Sequence, residues 1–162
     1  MNPDDVIAHF DLLVTYGYTN RFLRGYREYK KVKKMDPDLS FGPVVVEKYQ
    51  RMVRDNPEDW KARFRLACGL YALRKKKEGI KQLEEVMEKN PDNVWAYVYT
   101  GLAYAGIRDR VKAVELFEQA RDINPKLAAV HLGLGNGYKK IGRDKESKRA
   151  FLRGTWLAIC GW

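Results

Sequence analysis

Cys68 is the residue with the most chemical promise in this chain. Helical spacing sets it near Lys61 and Arg65, and a thiol beside cations ionises readily. The competing reading is a small, half-buried apolar residue. His9 and His131 are the two histidines, and neither stands at metal-ligand spacing from Cys68 or Cys160. No nucleophile has a base beside it. No catalytic residue, metal site or cofactor is therefore expected, and the chain reads as a non-enzyme. The run Gly133-Leu134-Gly135-Asn136-Gly137 superficially matches a phosphate loop. Such a loop follows a strand and closes on Lys-Ser/Thr, and this run has neither. Gly133 and Gly137 are instead places where a neighbour could approach a helix closely, or where the helix is merely weakened.

Charge offers a second kind of chemistry. The formal net charge is +10, which favours acidic partners. Arg21, Arg24, Arg27, Lys31 and Lys34 recur at spacings of three and four, so a helix would gather them into one positive ridge, with Tyr26 and Tyr29 nearby. Arg74, Lys75, Lys76 and Lys77 form a second cluster. A third combines Lys139, Lys140, Arg143, Lys145, Lys148, Arg149 and Arg153. Acids concentrate elsewhere, at Glu84, Glu85, Glu88, Glu115, Glu118 and Asp122. The ridge reads as an anion-binding face for nucleic acid, an anionic membrane or an acidic protein segment, or as a solvated face with no specific use. The chain has no apolar stretch of about 18 residues that would span a membrane. Its start, Met1-Asn2-Pro3-Asp4-Asp5, is acidic where a signal peptide is basic. Two cysteines make no disulfide framework. A cytoplasmic protein is the expectation.

The elements that must position these residues follow from a 34-residue beat. Asn56-Pro57, Asn90-Pro91 and Asn124-Pro125 mark it, with an echo at Asn2-Pro3 and Asp36-Pro37. Such a period signals stacked helix–turn–helix units. First-helix columns read His9/Arg63/Tyr97/His131, Leu12/Leu66/Thr100/Leu134, Leu13/Ala67/Gly101/Gly135 and Tyr16/Leu70/Tyr104/Tyr138. Second-helix columns read Gly25/Gly79/Ala113/Ser147, Tyr29/Leu83/Phe117/Phe151 and Val32/Val86/Ala120/Gly154. Spacings of three and four put these residues on one face of each helix. Small residues admit a close neighbour and large aromatics fill the gap beside them. The residue before proline avoids the α region, so each Asn-Pro or Asp-Pro ends a helix, and the proline suits the first turn of the next. Glu58 and Asp92 then fall near helix N-termini, where negative charge is favoured.

Thr100-Gly101 with Tyr104, Ala113, Phe117, Ala120 and Pro125 resembles the tetratricopeptide repeat (TPR) pattern. Leu134-Gly135 with Tyr138 and Phe151 resembles it again. The repeat from Trp60 to Pro91 is looser, with Ala67 and Leu70 at the glycine and tyrosine columns. The resemblance implies an all-α fold: a right-handed α-solenoid of antiparallel helix pairs, with about nine helices. These are expected at 4–17, 20–35, 43–55, 58–72, 76–89, 92–106, 109–122, 126–140 and 144–159. One TPR-like domain would span 1–162, with a degenerate repeat at 3–37, a lone helix at 38–56, repeats at 57–90, 91–124 and 125–159, and a terminal 160–162. The lone helix breaks the beat, carrying Val45, Tyr49 and Met52 in second-helix columns, so the 3–37 unit either stacks irregularly or folds back over the array.

By the same resemblance, first helices line a concave face. Its residues would be Lys61, Phe64, Arg65, Cys68 and Tyr71; then Trp95, Val98, Tyr99 and Leu102; then Leu132, Gly133, Asn136 and Lys139. A chaperone-tail clamp needs a lysine–asparagine–arginine set, and only Asn136 falls in a matching column. Aromatic anchors such as Trp95 and Tyr99 suit an apolar peptide or amphipathic helix. Alternatively, the N-terminal unit or the 43–55 helix covers this face. At the other end, Trp156-Leu157-Ala158-Ile159-Cys160-Gly161-Trp162 either covers the last repeat's edge or drives self-association. The function implied is an adaptor or scaffold binding a protein or peptide, acidic or amphipathic. The alternatives are a basic nucleic-acid- or membrane-associated module and a self-assembling scaffold.

Overall fold

The computed structural model describes residues 3–19 and 21–160, and these form nine helices and no strand. They are α1 (Pro3–Tyr18), α2 (Phe22–Met35), α3 (Gly42–Asp55), α4 (Trp60–Ala72), α5 (Lys76–Lys89), α6 (Val94–Gly106), α7 (Arg110–Ile123), α8 (Ala128–Lys140) and α9 (Asp144–Cys160). The expected all-α helical repeat is what the chain forms. Met1, Asn2, Gly161 and Trp162, which figure in the sequence reading, lie outside the described residues. The chain divides into two compact units, Met1–Gln82 and Leu83–Trp162. The sequence reading had anticipated one domain; the division falls inside α5, within the 57–90 repeat.

The beat works through backbone conformation. Asp36, Asn56 and Asn124, each before a proline, have φ near −140° and ψ of 84° to 90°. This is the extended backbone that a following proline enforces. The helices begin later than expected, however. Pro57 and Pro91 sit in the turn ahead of α4 and α6 rather than in their first helical turn. The N-caps are accordingly Asp59, accepting from the Lys61 and Ala62 amides, and Asn93, accepting from the Ala96 amide. Within each repeat the first helix closes on a 6→1 backbone bond: Lys75 N to Leu70 O at 2.9 Å, Asp109 N to Tyr104 O at 3.0 Å, Arg143 N to Tyr138 O at 2.9 Å. That motif requires a left-handed residue. Gly142 takes it at φ 80°, whereas Arg74 and Arg108 are held there at 60° and 70°.

In the second unit, α8 lies between α7 and α9 and uses a glycine for each contact. A Cβ on Gly133 would stand 2.7 Å from Phe117, and one on Gly137 would stand 2.6 Å from Val114, both on α7. A Cβ on Gly135 would meet Phe151 of α9 at 2.8 Å. The phosphate-loop look-alike is thus a packing device. Phe117 and Val114 join Val98, Ala113, Ala120, Val130, Leu134 and Tyr138 in one buried cluster. In the first unit α3 packs on α4, where a Cβ on Gly69 would meet Val45 at 2.9 Å. Val45 and Tyr49 are buried as their columns predict, while Met52 is exposed.

Candidate interaction surfaces

The inner side of α4 is occupied by α1. Tyr18 sets its ring edge-on against Trp60 and Phe64, with centroids 5.4 and 5.7 Å apart. Phe64 is 0% exposed. Arg65 donates to Thr15 Oγ1 at 2.9 Å and to the Tyr18 hydroxyl at 3.2 Å, and lies 3.8 Å from Asp11. Asp11 also takes Lys48 at 3.1 Å and a short hydrogen bond from the Tyr49 hydroxyl, tying α1 to α3. Burial first, then the Asp11 carboxylate, pushes the Tyr49 hydroxyl pKa upward. The expectation that Phe64 faces an open groove therefore gives way, because the N-terminal helix fills that place. Of its column, Lys61 stays exposed with its ammonium 5.8 Å from the Trp60 ring, and Tyr71 is half-buried. Cys68 keeps some exposed surface, yet burial pushes its thiol up to about 12 against the opposing pull of Arg65. It stays protonated near neutrality, which removes the reactive-thiol reading.

The inner side of α6 and α8 is different. Leu102 is 50% exposed and Leu132 39%, Asn136 and Lys139 are exposed, and Trp95 and Tyr99 are half-buried. The Trp95 and Tyr99 rings lie 6.2 Å apart at 49°. Positions 95, 99 and 102 form one helical stripe, and 132, 136 and 139 another; α6 and α8 are in contact. No residue of α6 is charged. Val98 departs from the expectation: it is buried in the α6–α7 core and offers nothing to a ligand. Leu132 is backed by α9, since a Cβ on Gly154 would stand 2.9 Å from its Cδ2.

Successive helices are also joined by hydrogen-bonded rungs that the sequence reading does not anticipate. Tyr104 donates to Glu84 and Tyr138 to Glu118, both at 2.6 Å. Glutamates and tyrosines alike stand 34 apart, so the pairing was legible as two columns at one period. The bond to Glu84, then burial, pushes the Tyr104 hydroxyl up to about 12. Arg143 caps the second rung, 4.4 Å from the Tyr138 ring centre and 3.7 Å from Glu118. The first-helix column also repeats a bond: Arg63 donates to the Pro57 carbonyl at 3.1 Å, and His131 Nε2 bonds the Pro125 carbonyl at 2.8 Å. His9 instead pairs with Glu28 at 2.5 Å.

One cavity also recurs at matching columns, with its charge changed. In the first unit Gln50, Arg54, Arg63 and Glu78 line about 430 Å³. In the second Glu84, Glu88, Tyr97 and Lys112 line about 620 Å³.

Among the basic residues, Arg21, Arg24, Arg27, Lys31 and Lys34 are all exposed. Arg24, Arg27 and Lys31 line a third cavity of about 380 Å³ with Tyr16 and Glu28. Burial raises the cost of ionising Glu28, but hydrogen bonds from Lys31 and His9 outweigh it and leave its pKa below the ordinary carboxylate value. Tyr29 and Phe151 stand in a packing column yet are 45% and 36% exposed, whereas Leu83 and Phe117 of the same column are buried. On α9, Leu152, Trp156 and Ile159 are also exposed, with Arg153 5.1 Å from the Trp156 ring centre. Among the described residues no group of three potential metal ligands converges, and no helix is long and apolar enough to cross a membrane.

Comparison with known proteins agrees with this architecture. A tetratricopeptide-repeat family model matches residues 61–93. A crystal structure of MamA matches at TM-score 0.66 and 22% identity, covering 90% of this chain and 93% of that one. MamA MSR-1 matches at 0.63 and 19%, covering 98% and 99%. A further crystal structure of MamA protein matches at 0.64 and 22%, covering 94% and 91%. At these identities the likeness is one of fold. None of the curated proteins matches the sequence. The repeat and the fold support a protein-interaction scaffold in general.

Proposed function

We propose that this chain, with its tetratricopeptide repeat at residues 61–93, is an interaction scaffold that binds a peptide or amphipathic helix on the inner face of α6 and α8. The observation that carries this reading is the uncharged helix α6, which leaves Leu102 half in water beside Trp95 and Tyr99. Large apolar side chains grouped on one surface cost free energy in water and are recovered when a partner covers them. Trp95, Tyr99, Leu102 and Leu132 supply the apolar anchors, Asn136 a donor and acceptor for peptide backbone, and Lys139 a cation for an acidic residue of the partner. Lys61, Arg65, Cys68 and Tyr71 contribute less, because α1 stands against their helix.

The test is selection from a displayed peptide library, repeated on Tyr99→Ala/Leu102→Asp. Peptides with apolar residues at helical or alternating spacing should be enriched and should lose the double variant by about 10-fold or more. Enriched peptides that bind parent and variant equally contradict the reading.

The exposed stripe of Leu152, Trp156 and Ile159 on α9 favours a second reading, self-assembly through that helix. Light scattering across a concentration series tests it. Mass that rises with concentration and stays monomeric in Trp156→Asp supports assembly, and a strict monomer throughout rejects it.

A further inference from the structure

We propose that the solvent face of α2 is a platform for single-stranded nucleic acid, on which the phosphate backbone follows a row of cations and bases stack on Tyr26 and Tyr29. The site lies on a different helix from those of the proposed peptide surface. Tyr26 is 56% exposed, and the two rings lie 6.2 Å apart and 24° from parallel. Two aromatic faces stacked in water are the feature that unpaired bases recognise, because every base has a π-face to lay against them. Lys30 stands over the Tyr26 ring at 4.9 Å and adds a cation beside the ring pair.

The row itself is Arg24, Arg27, Lys31 and Lys34, one stripe of the helix spanning about 15 Å at 1.5 Å per residue. Only one group on α2 opposes it. The helix has a single acid, Glu28, which is buried and already holds His9 at 2.5 Å and Lys31 at 3.1 Å. The cavity of about 380 Å³ lined by Tyr16, Arg24, Arg27, Glu28 and Lys31 gives one phosphate a recess beside Arg24 and Arg27, the Glu28 carboxylate there being held by Lys31.

Charge alone would equally suit an acidic peptide or an anionic membrane. An acidic peptide gives the tyrosine pair nothing flat to stack on. A membrane-binding helix needs aliphatic or tryptophan side chains to insert among the acyl chains, and the exposed described side chains of α2 are tyrosines and cations, with Val32 buried.

The test is fluorescence anisotropy with fluorescein-labelled oligo(dT). Binding should weaken with salt at a slope of about −0.7 per phosphate contact, so four contacts predict about a 50-fold loss between 50 and 200 mM. Tyr26→Ala/Tyr29→Ala should weaken binding about 10-fold or more, while Tyr26→Phe/Tyr29→Phe keeps the rings and the affinity. Arg24→Ala/Arg27→Ala should weaken binding and make the salt slope shallower by about 1.4. Absence of binding at low salt overturns the proposal. So does full affinity in the alanine pair, equal affinity for polyglutamate, or binding to phosphatidylserine vesicles in place of the oligonucleotide.

Discussion

The inner sides of α4 and α6 occupy the same place in successive repeats and have opposite fates. On α4, Phe64 is sealed beneath Tyr18, and Arg65 is bound to three residues of α1. On α6, Leu102 is exposed and Trp95 and Tyr99 are half-buried. Phe64 shares its column with Val98, which is also buried, whereas Arg65 and Cys68 share theirs with Tyr99 and Leu102, so the difference lies in those two columns and in what stands opposite them. In the first unit α1, from the degenerate N-terminal repeat, stands against the face and satisfies it; in the second, Leu102 stays 50% exposed. A repeat column therefore states that a residue points inward, and the irregular elements decide whether that direction leads to core or to a binding surface.

The largest test of this contrast is Phe64→Ala. Removing a fully buried phenylalanine costs about 3–5 kcal/mol, while Leu132→Ala, in the same column two repeats on, should cost about 1 kcal/mol because part of that side chain is already in water. Urea unfolding of both variants reads the difference, and equal losses would break the comparison. Next is Gly133→Ala, whose added Cβ would press on the Phe117 ring. Overpacking of this kind costs about 1–3 kcal/mol, and a neutral result would mean that α8 is not held tightly against α7.

Tyr104→Phe and Tyr138→Phe should each cost about 1 kcal/mol, the net worth of one hydrogen bond. The Tyr104 rung also has a pH signature. Its hydroxyl is raised from about 10 to about 12 in the folded chain, so the protonated form is favoured by folding. The stabilisation is complete below about pH 10 and lost as pH climbs toward about 12. Ultraviolet titration should detect a tyrosine ionising late in the parent, and that late fraction should shrink in Tyr104→Phe. Smallest of all is Leu102→Ala, expected within about 0.5 kcal/mol of the parent by thermal melting. A large loss would mean that Leu102 is structural and the α6 face closed.

Much of the fold was readable because it is local and periodic. Prolines 34 residues apart, each preceded by Asp or Asn, dictate extended backbone and so mark helix ends. The Gly101 column likewise announces close contact, and a Cβ there would meet Phe117 at 3.1 Å. Helix starts were misplaced because proline was credited with a role that Asp59 and Asn93 perform. Arg74 and Arg108 gave no sign of their left-handed backbone, which only Gly142 advertises. The covering of α4 is one of two alternatives the sequence allows, for it depends on pairs such as Arg65–Thr15, 50 residues apart and outside any period. The rungs were the avoidable omission, since Glu84 and Glu118 keep the beat as faithfully as Tyr104 and Tyr138.

Hydroxyl-radical footprinting of the chain, free and with a library-selected peptide, tests the central claim most directly. Trp95, Tyr99 and Leu102 should be oxidised in the free chain and protected by the peptide, while Phe64 stays protected in both. Oxidation of Phe64 to the extent of Leu102, or peptide protection that falls on Phe64 and leaves Leu102 reactive, would contradict a closed first repeat and an open second one.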